Sequence, residues 1–245
     1  MQIEGRVAVV SGGGSGIGRA TVLALAQRGA RVVVLDLDAA GSEETVALAA
    51  AAGGTARFRR CDVTQTAELE RAFESVLREL GRLDIAYNNA GIGDEDLFND
   101  AVGRWKRLVE VNLIALIDAT RIEVRAMRAI GAGVIVNTAS LIGLEPVGFA
   151  PVYSASKAGV VAFTRALGYL KAEAQIRVNA VCPEIVATPM TLGSGDASVA
   201  ELVRRGEILL PEDIAAAVLD LVEDEQRFGA IMKITVQGGR ELVAP

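Results

Sequence analysis

The sequence predicts an α/β fold: a single-domain, doubly wound parallel sheet of about seven strands with helices on both faces. Three observations carry this. Short Val/Ile/Leu-rich runs alternate with segments whose apolar residues recur every three or four positions. The runs are continuously apolar rather than alternating, as in strands covered on both faces. The first run leads directly into a glycine-rich stretch, SGGGSGIG at 11–18.

In chain order the strands are VAVV (7–10), ARVVVL (30–35), ARF (56–58), LDIAY (83–87), GVIVNTA (133–139), IRVNAVC (176–182) and AIMKITV (230–236). Between them, GRATVLALAQRG (18–29), SEETVALAAAA (42–52), AELERAFESVLREL (67–80) and YSASKAGVVAFTRALGYLKAE (153–173) carry the helical period. The least periodic region, 187–206, reads as a mobile loop with a short helix. No proline-rich linker or repeat divides the 245 residues, so residues 1–245 form one domain, with 187–208 as a substrate lid.

Bulk properties narrow the function. A composition of 51% hydrophobic and 23% charged residues supports a substantial core, and a net charge of −6 without basic runs excludes phosphate-backbone recognition. Cys61 and Cys182 lie far apart and read as two reduced thiols. No signal-peptide pattern opens the chain, and no apolar stretch reaches the roughly 18 residues of a membrane span. The expectation is a cytoplasmic protein without nucleic-acid or membrane partners.

The glycines of SGGGSGIG let the backbone turn tightly, and the helix opening near Gly16 offers free amides to a pyrophosphate. Gly12, Ser15, Gly16, Ile17 and Gly18 are the candidate contacts of a Rossmann-type site. A kinase-like P-loop fails because Arg19 and Ala20 stand where lysine and a hydroxyl belong. Asp36 ends the second strand 18 residues after Gly18, at the distance suited to a ribose 2′-hydroxyl; with the neighbouring Leu37 it favours NAD over NADP. Asp38 is the rival reading, an aspartate capping the next turn. Asp62 and Val63 end the third strand on the adenine side, and Asn89, Ala90 and Gly91 follow the fourth. Each of these clusters is also ordinary turn chemistry.

The chain contains no histidine, so another group must move protons. In VYSASK (152–157) a helix places Tyr153 and Lys157 one turn apart, where the ammonium favours the phenolate. Oxidised nicotinamide adds a second positive charge, making the phenol the base that takes a substrate hydroxyl proton while hydride leaves for NAD. Ser140 is placed to hold the substrate oxygen, and Asn112 to anchor a water relaying protons to Lys157. Each has a plainer alternative: a surface Tyr–Lys contact, a serine helix cap, a polar core asparagine.

Together SGGGSGIG, CDV, NNAG, VN, NTAS, YSASK, VNAVCP and ATPM, in this order and spacing, resemble the short-chain dehydrogenase/reductase family over nearly the whole chain. The resemblance implies Asn112, Ser140, Tyr153 and Lys157 as the catalytic tetrad. It also implies Lys157 on the nicotinamide ribose, Val186 and Thr188 near the carboxamide with Pro183 beside them, and a homotetramer or homodimer built on helices around 102–130 and 153–173. PVYSASKAGVVAFTRA, LPEDIAAAVLDLVEDE and GAIMKIT look most like the NAD-dependent 15-hydroxyprostaglandin dehydrogenase subgroup.

Three positions depart from the pattern. Ser11 replaces a threonine and keeps the hydroxyl that braces the turn. Glu184 stands where glycine is usual, bringing a carboxylate toward the nicotinamide end. Ala150 replaces the subgroup's glutamine, so prostaglandin activity does not transfer. Leu141, Leu144, Val147, Phe149, Ile185, Met190 and Leu192 are pocket candidates that also read as core. The sequence thus predicts an NAD-dependent oxidoreductase interconverting a small apolar secondary alcohol and a ketone; the alternative is a catalytically idle, cofactor-binding regulatory or scaffold protein of the same fold. No metal site is expected.

Overall fold

The computed structural model describes residues 1–93, 97, 103–193, 195 and 197–244. Its strands are β1 (Val7–Ser11), β2 (Arg31–Asp36), β3 (Thr55–Arg60), β4 (Ile85–Asn88), β5 (Gly133–Thr138), β6 (Ile176–Pro183), β7 (Ile231–Thr235) and β8 (Gly239–Leu242). They form one sheet in the order β3-β2-β1-β4-β5-β6-β7-β8. The first seven are parallel, and β8 returns antiparallel to β7. This eighth strand corrects the expected count. All four residues of GREL are exposed, so no apolar run announces it; the turn at Gly239, at φ 64°, folds it back.

The helices are α1 (Gly16–Gln27), α2 (Ala39–Ala51), α3 (Thr66–Leu80), α4 (Arg104–Val109), α5 (Ala115–Ile130), α6 (Pro151–Ala166), α7 (Leu170–Ala174), α8 (Pro189–Leu192), α9 (Ala197–Arg205) and α10 (Pro211–Glu223). Alternation along β1 and β2 shows why both faces need cover. Ala8, Val10, Val32 and Val34 join the core on the α1 and α10 side, while Val7, Val9, Val33 and Leu35 join the core with α3 and α5.

The helix expected over 153–173 is interrupted by a 3₁₀ turn, Leu167–Tyr169. There the backbones of Gly168 and Gly229 meet, a Cβ on Gly168 lying 3.6 Å from the Gly229 Cα. Of the expected 102–130 helical region, residue 102 lies outside the described residues; the remainder is α4, a π turn (Glu110–Ile114) and α5. The 187–206 region holds two helices rather than one. A Thr188/Thr191 capping box with Pro189 at the first position starts α8, and α9 turns Val199 inward. Glycines 193 and 195 between them mask the period in the sequence. The ends of this segment are joined by a Val186–Leu209 bridge, with Ala187 N–H donating to Leu209 C=O at 2.8 Å and Leu209 N–H to Ile185 C=O at 3.1 Å.

The strand order reverses between β1 and β4, so the crevice for a ligand opens at their carboxyl ends.

Candidate active site

The glycine turn after β1 is shaped by contact as much as by flexibility. Gly12 sits at φ 67°, where a Cβ would lie 2.9 Å from the Ala90 Cα. A Cβ on Gly18 would lie 2.0 Å from the Gly12 carbonyl oxygen, so α1 packs directly on the turn. Ser15, the N-cap of α1, makes no side-chain cap, which leaves the first-turn amides for an anion. Ile17 packs against the core below. Arg19 folds back onto the Gly14 carbonyl at 2.7 Å and pairs with Glu44 at 2.7 Å, bracing the turn rather than reaching a phosphate. Ser11 links this turn to the next loop, its hydroxyl accepting from Asn89 N–H at 3.0 Å and Ala90 N–H at 3.2 Å.

Asp36 lies beside the turn. One carboxylate oxygen accepts from Gly14 N–H at 2.9 Å and the other from Asp38 N–H at 3.0 Å, so Asp36 itself organises the turn, while Asp38 caps α2 without a side-chain bond. The exposed Leu37 follows it. Asp62 is held by Thr64, whose hydroxyl donates at 2.7 Å, and by Arg107 of α4 at 3.1 and 3.2 Å. Burial raises its pKa, but the Thr64 hydroxyl and N–H and the Arg107 guanidinium outweigh this and hold it below the usual carboxylate value. Val63 beside it is half-buried. Arg107 was missed from sequence, because nothing in WKRL links it to a residue 45 positions earlier.

These features suit a dinucleotide: a small-residue cradle that any Cβ would fill, uncapped helix amides, and carboxylates on the ribose and adenine sides. The residues present therefore fit the cofactor that the spacing predicts.

The residues expected to handle protons gather at the end of β5 and the start of α6. Ser140 caps a 3₁₀ turn, Leu141–Gly143, and its hydroxyl bonds the Tyr153 phenol. Lys157 is 3% exposed, donates to the Thr138 carbonyl at 2.8 Å and lies 5.6 Å from the Tyr153 ring centre. The expected lowering of the phenol by the lysine is absent here. Burial raises Tyr153, only partly opposed by the Ser140 hydroxyl, and burial lowers Lys157 to about 8 against a small opposing effect of Cys182. Cys182 is itself pushed up to about 12 by burial, so its thiol stays protonated.

Asn112 sits in the π turn, not in regular helix, and its side chain is spent on Ile92: Oδ1 accepts from Ile92 N–H at 2.8 Å and Nδ2 donates to its carbonyl at 2.9 Å. These two bonds tether the loop carrying Asn89, Ala90 and Gly91. A Cβ on Gly91 would lie 3.3 Å from Asn112 Oδ1 and 3.8 Å from Lys157 Nζ, which brings the loop to Lys157.

Across the crevice, Pro183 C=O accepts from Ser140 Oγ at 3.5 Å. Thr188 rests on the glycine turn, its methyl 3.1 Å from where a Gly16 Cβ would stand. Thr191, also unforeseen, fixes this corner by donating to the Val186 carbonyl at 2.5 Å. Glu184 is exposed and its carboxylate accepts from Val236 N–H at 3.0 Å, just past the carboxyl end of β7. Among the pocket candidates Phe149, Ile185, Met190 and Leu192 are exposed, while Leu141, Leu144 and Val147 are half-buried. No described group of residues has the makings of a metal site.

Comparison with known proteins agrees with this geometry. A family profile described as short chain dehydrogenase matches residues 6–198. Cyclohexanol dehydrogenase of Acinetobacter sp. (strain SE19) is 34% identical, covering 97% of this chain and 95% of its own. Human 15-hydroxyprostaglandin dehydrogenase [NAD(+)] is 35% identical, covering 98% and 94%. The structure of NAD+-bound xylitol dehydrogenase superposes with a TM-score of 0.86 at 26% identity, covering 96% and 99%. A glycine cradle at the switch point, a Ser–Tyr–Lys cluster beside it and a match over most of the chain together make this protein a member of the short-chain dehydrogenase family.

Proposed function

We propose that the protein is an NAD-dependent oxidoreductase that interconverts a neutral, medium-sized secondary alcohol and its ketone. The observation that carries the reading is the Ser140–Tyr153–Lys157 cluster, closed in beside the glycine turn. Bound NAD supplies the hydride acceptor in oxidation and, reduced, the donor in reduction. Ser140 holds the substrate oxygen and Tyr153 takes the hydroxyl proton. Lys157 supplies positive charge beside the phenol, and the Thr138 carbonyl fixes its ammonium. Asn112 holds the loop edge against which the cofactor lies. The relatives are named as dehydrogenases, which favours turnover over an idle scaffold.

NAD is favoured over NADP because Asp36 stands by the ribose position and its carboxylate opposes a 2′-phosphate. Arg19 is committed to Gly14 and Glu44. Asp36→Ala combined with Leu37→Arg is expected to invert the ratio of dissociation constants toward NADP, read by calorimetric titration with both cofactors. Equal affinities in the unaltered protein would reduce Asp36 to a turn residue.

The exposed apolar side chains of 149 and 185–192 support a hydrophobic pocket under a lid spanning 187–208. At about 0.8 kcal/mol per buried methylene, three added carbons are worth about 2.4 kcal/mol. The test is kcat/KM with NAD along 2-butanol to 2-decanol, with cyclohexanol and lactate. Efficiency is expected to climb until the pocket fills; a flat series, or lactate ahead of neutral alcohols, overturns the apolar assignment.

A homodimer or homotetramer is favoured by an apolar groove on the outer face of α6, lined by Pro146, Val147, Pro151, Ala155 and Ala158. Two buried, unbridged thiols suit the cytoplasm. No helix among the described residues is long and apolar enough to cross a membrane.

A further inference from the structure

Beneath the site, where α5 and α6 cover the sheet, lies a polar cluster that the proton transfer does not use. Glu123 of α5 is 1% exposed, and its Oε2 accepts from Asn88 Nδ2 at 3.0 Å. The same nitrogen donates to Asn137 Oδ1 at 3.1 Å, and Asn137 Nδ2 donates to Thr164 Oγ1 at 3.0 Å. One directed chain of hydrogen bonds thus ties α5, β4, β5 and α6 through the core.

Both asparagines stand one residue before groups of the site. Asn88 precedes Asn89, whose side chain holds the Ser11 and Gly12 carbonyls at 3.2 Å. Asn137 precedes Thr138, whose carbonyl takes the Lys157 ammonium. The Asn88 amide has two hydrogens, and its two shortest bonds spend them on Glu123 and Asn137. The acceptor on Glu123 therefore sets which way the Asn88 amide faces, and with it the direction of the whole chain.

Among the described residues no cation pairs with this acid. Burial pushes Glu123 up to about 8, with only the Asn88 amide opposing. On the surrounding elements, Tyr87 of β4 bonds Thr138 Oγ1 and Lys157 of α6 bonds the Thr138 carbonyl. On α5 itself Arg121 and Arg125 turn to Glu70 of α3, and Asp118 to Thr66. None of them contributes to the shift of Glu123.

We propose that Glu123 is a positioning residue acting as its neutral acid: it fixes the Asn88–Asn137–Thr164 chain, and so the cofactor-side ends of β4 and β5, and its ionisation loosens both. The inference rests on the reading of residues 89–91 as the cofactor edge.

The experiment compares the full-length protein with Glu123→Gln and Glu123→Met from pH 6 to 10, by thermal unfolding and by NAD titration in a calorimeter. Gln keeps an acceptor for Asn88 and cannot ionise; Met is neutral without the bond, and serves the unfolding comparison if Gln does not fold. The folded-state value of Glu123 is raised above the ordinary carboxylate value of about 4.3. The unfolded chain therefore releases its proton first, and wild-type stability falls with rising pH up to about 8 and is level above. Relative to either variant, the wild-type Tm is expected to drop by about 5 °C between pH 6 and 8. Between pH 7 and 9.5 the wild-type Kd for NAD is expected to rise at least about fivefold more than that of Glu123→Gln, while Glu123→Met binds weakly throughout. Lys157 titrates alike in all three proteins, so the ratio isolates Glu123. A pH-independent Tm difference would show an already ionised Glu123 and overturn the proposal. Parallel NAD curves for wild type and Gln, with normal binding at pH 7, would overturn its positioning role. A wild type that binds no NAD at pH 7 would overturn the cofactor reading itself, and this role with it, whatever the melting curves show.

Discussion

Tyr153→Phe is expected to lower kcat for alcohol oxidation by at least about 10²-fold, the low end for removing a positioned acid/base group, with the Kd for NAD changed less than about twofold. The phenol is the group that the Ser140 hydroxyl bonds and that Lys157 underlies, whereas most of the proposed cofactor contacts lie elsewhere, on the glycine turn and the 89–91 loop. Lys157→Met is expected to harm both turnover and NAD binding, because the ammonium ties the end of β5 to α6 as well as supplying charge. The pH dependence has a definite sign. Burial raises the phenol in the free protein, so oxidation, which needs the deprotonated form, gains rate with rising pH; ketone reduction, which needs the protonated form, gains rate as pH falls. Steady-state kinetics in both directions from pH 6 to 10 check this, and a Phe variant turning over at near-normal rate would end the assignment.

Gly18→Ala is expected to weaken NAD binding by at least about tenfold and to lower Tm by several degrees. The added methyl would stand 2.0 Å from the Gly12 carbonyl oxygen and 2.7 Å from Asn89 Nδ2. Neither can retreat easily: the first is backbone, and the second holds the Ser11 and Gly12 carbonyls. Overpacking of this kind costs about 1–3 kcal/mol, and about 1.4 kcal/mol is a factor of ten in affinity. The strain falls on the turn proposed to receive the pyrophosphate. Gly53→Ala is the matched control: Gly53 has φ 79° with nothing within 4 Å of a Cβ, so it should lose some stability and keep its NAD affinity. Calorimetric titration and thermal unfolding of both variants decide the matter. A Gly18 variant with unaltered NAD affinity would mean that the turn is not the phosphate cradle.

β1, β2, β5 and β6 were legible because each is an apolar run buried on both faces along nearly all its length, whereas β3, TARFRR, has no fully buried residue and was legible only by its place in the alternation of strands and helices. β8 was not, since GREL stays in solvent and is a strand only by pairing with β7. Tyr153 and Lys157 were legible as a pair because helical spacing alone puts them on one face. Their acidities were not, because burial is a property of the assembled fold and here outweighs the contact between them. Asn112 was found by its position in VEVNL, but its partner Ile92 lies 20 residues away and the π turn leaves no mark in composition. Glu184 shows the same limit: its place in the sequence marked a departure from the pattern, but its partner, Val236 N–H, lies 52 residues away. Arg107 and Glu123 act only through long-range partners, Asp62 and Asn88, which no local pattern names.

The bridge between Val186 and Leu209 brings the two ends of the 187–208 segment side by side. A loop whose ends are already joined barely feels its own length: doubling the number of residues costs about 0.6 kcal/mol in closure entropy. Residues inserted or removed between 187 and 208 therefore leave β6, Tyr153 and Lys157 where they stand. If the segment is the lid proposed above, all of it beyond Thr188 and Thr191, which pack on the glycine turn and on Val186, is in effect a replaceable cassette plugged into a fixed engine.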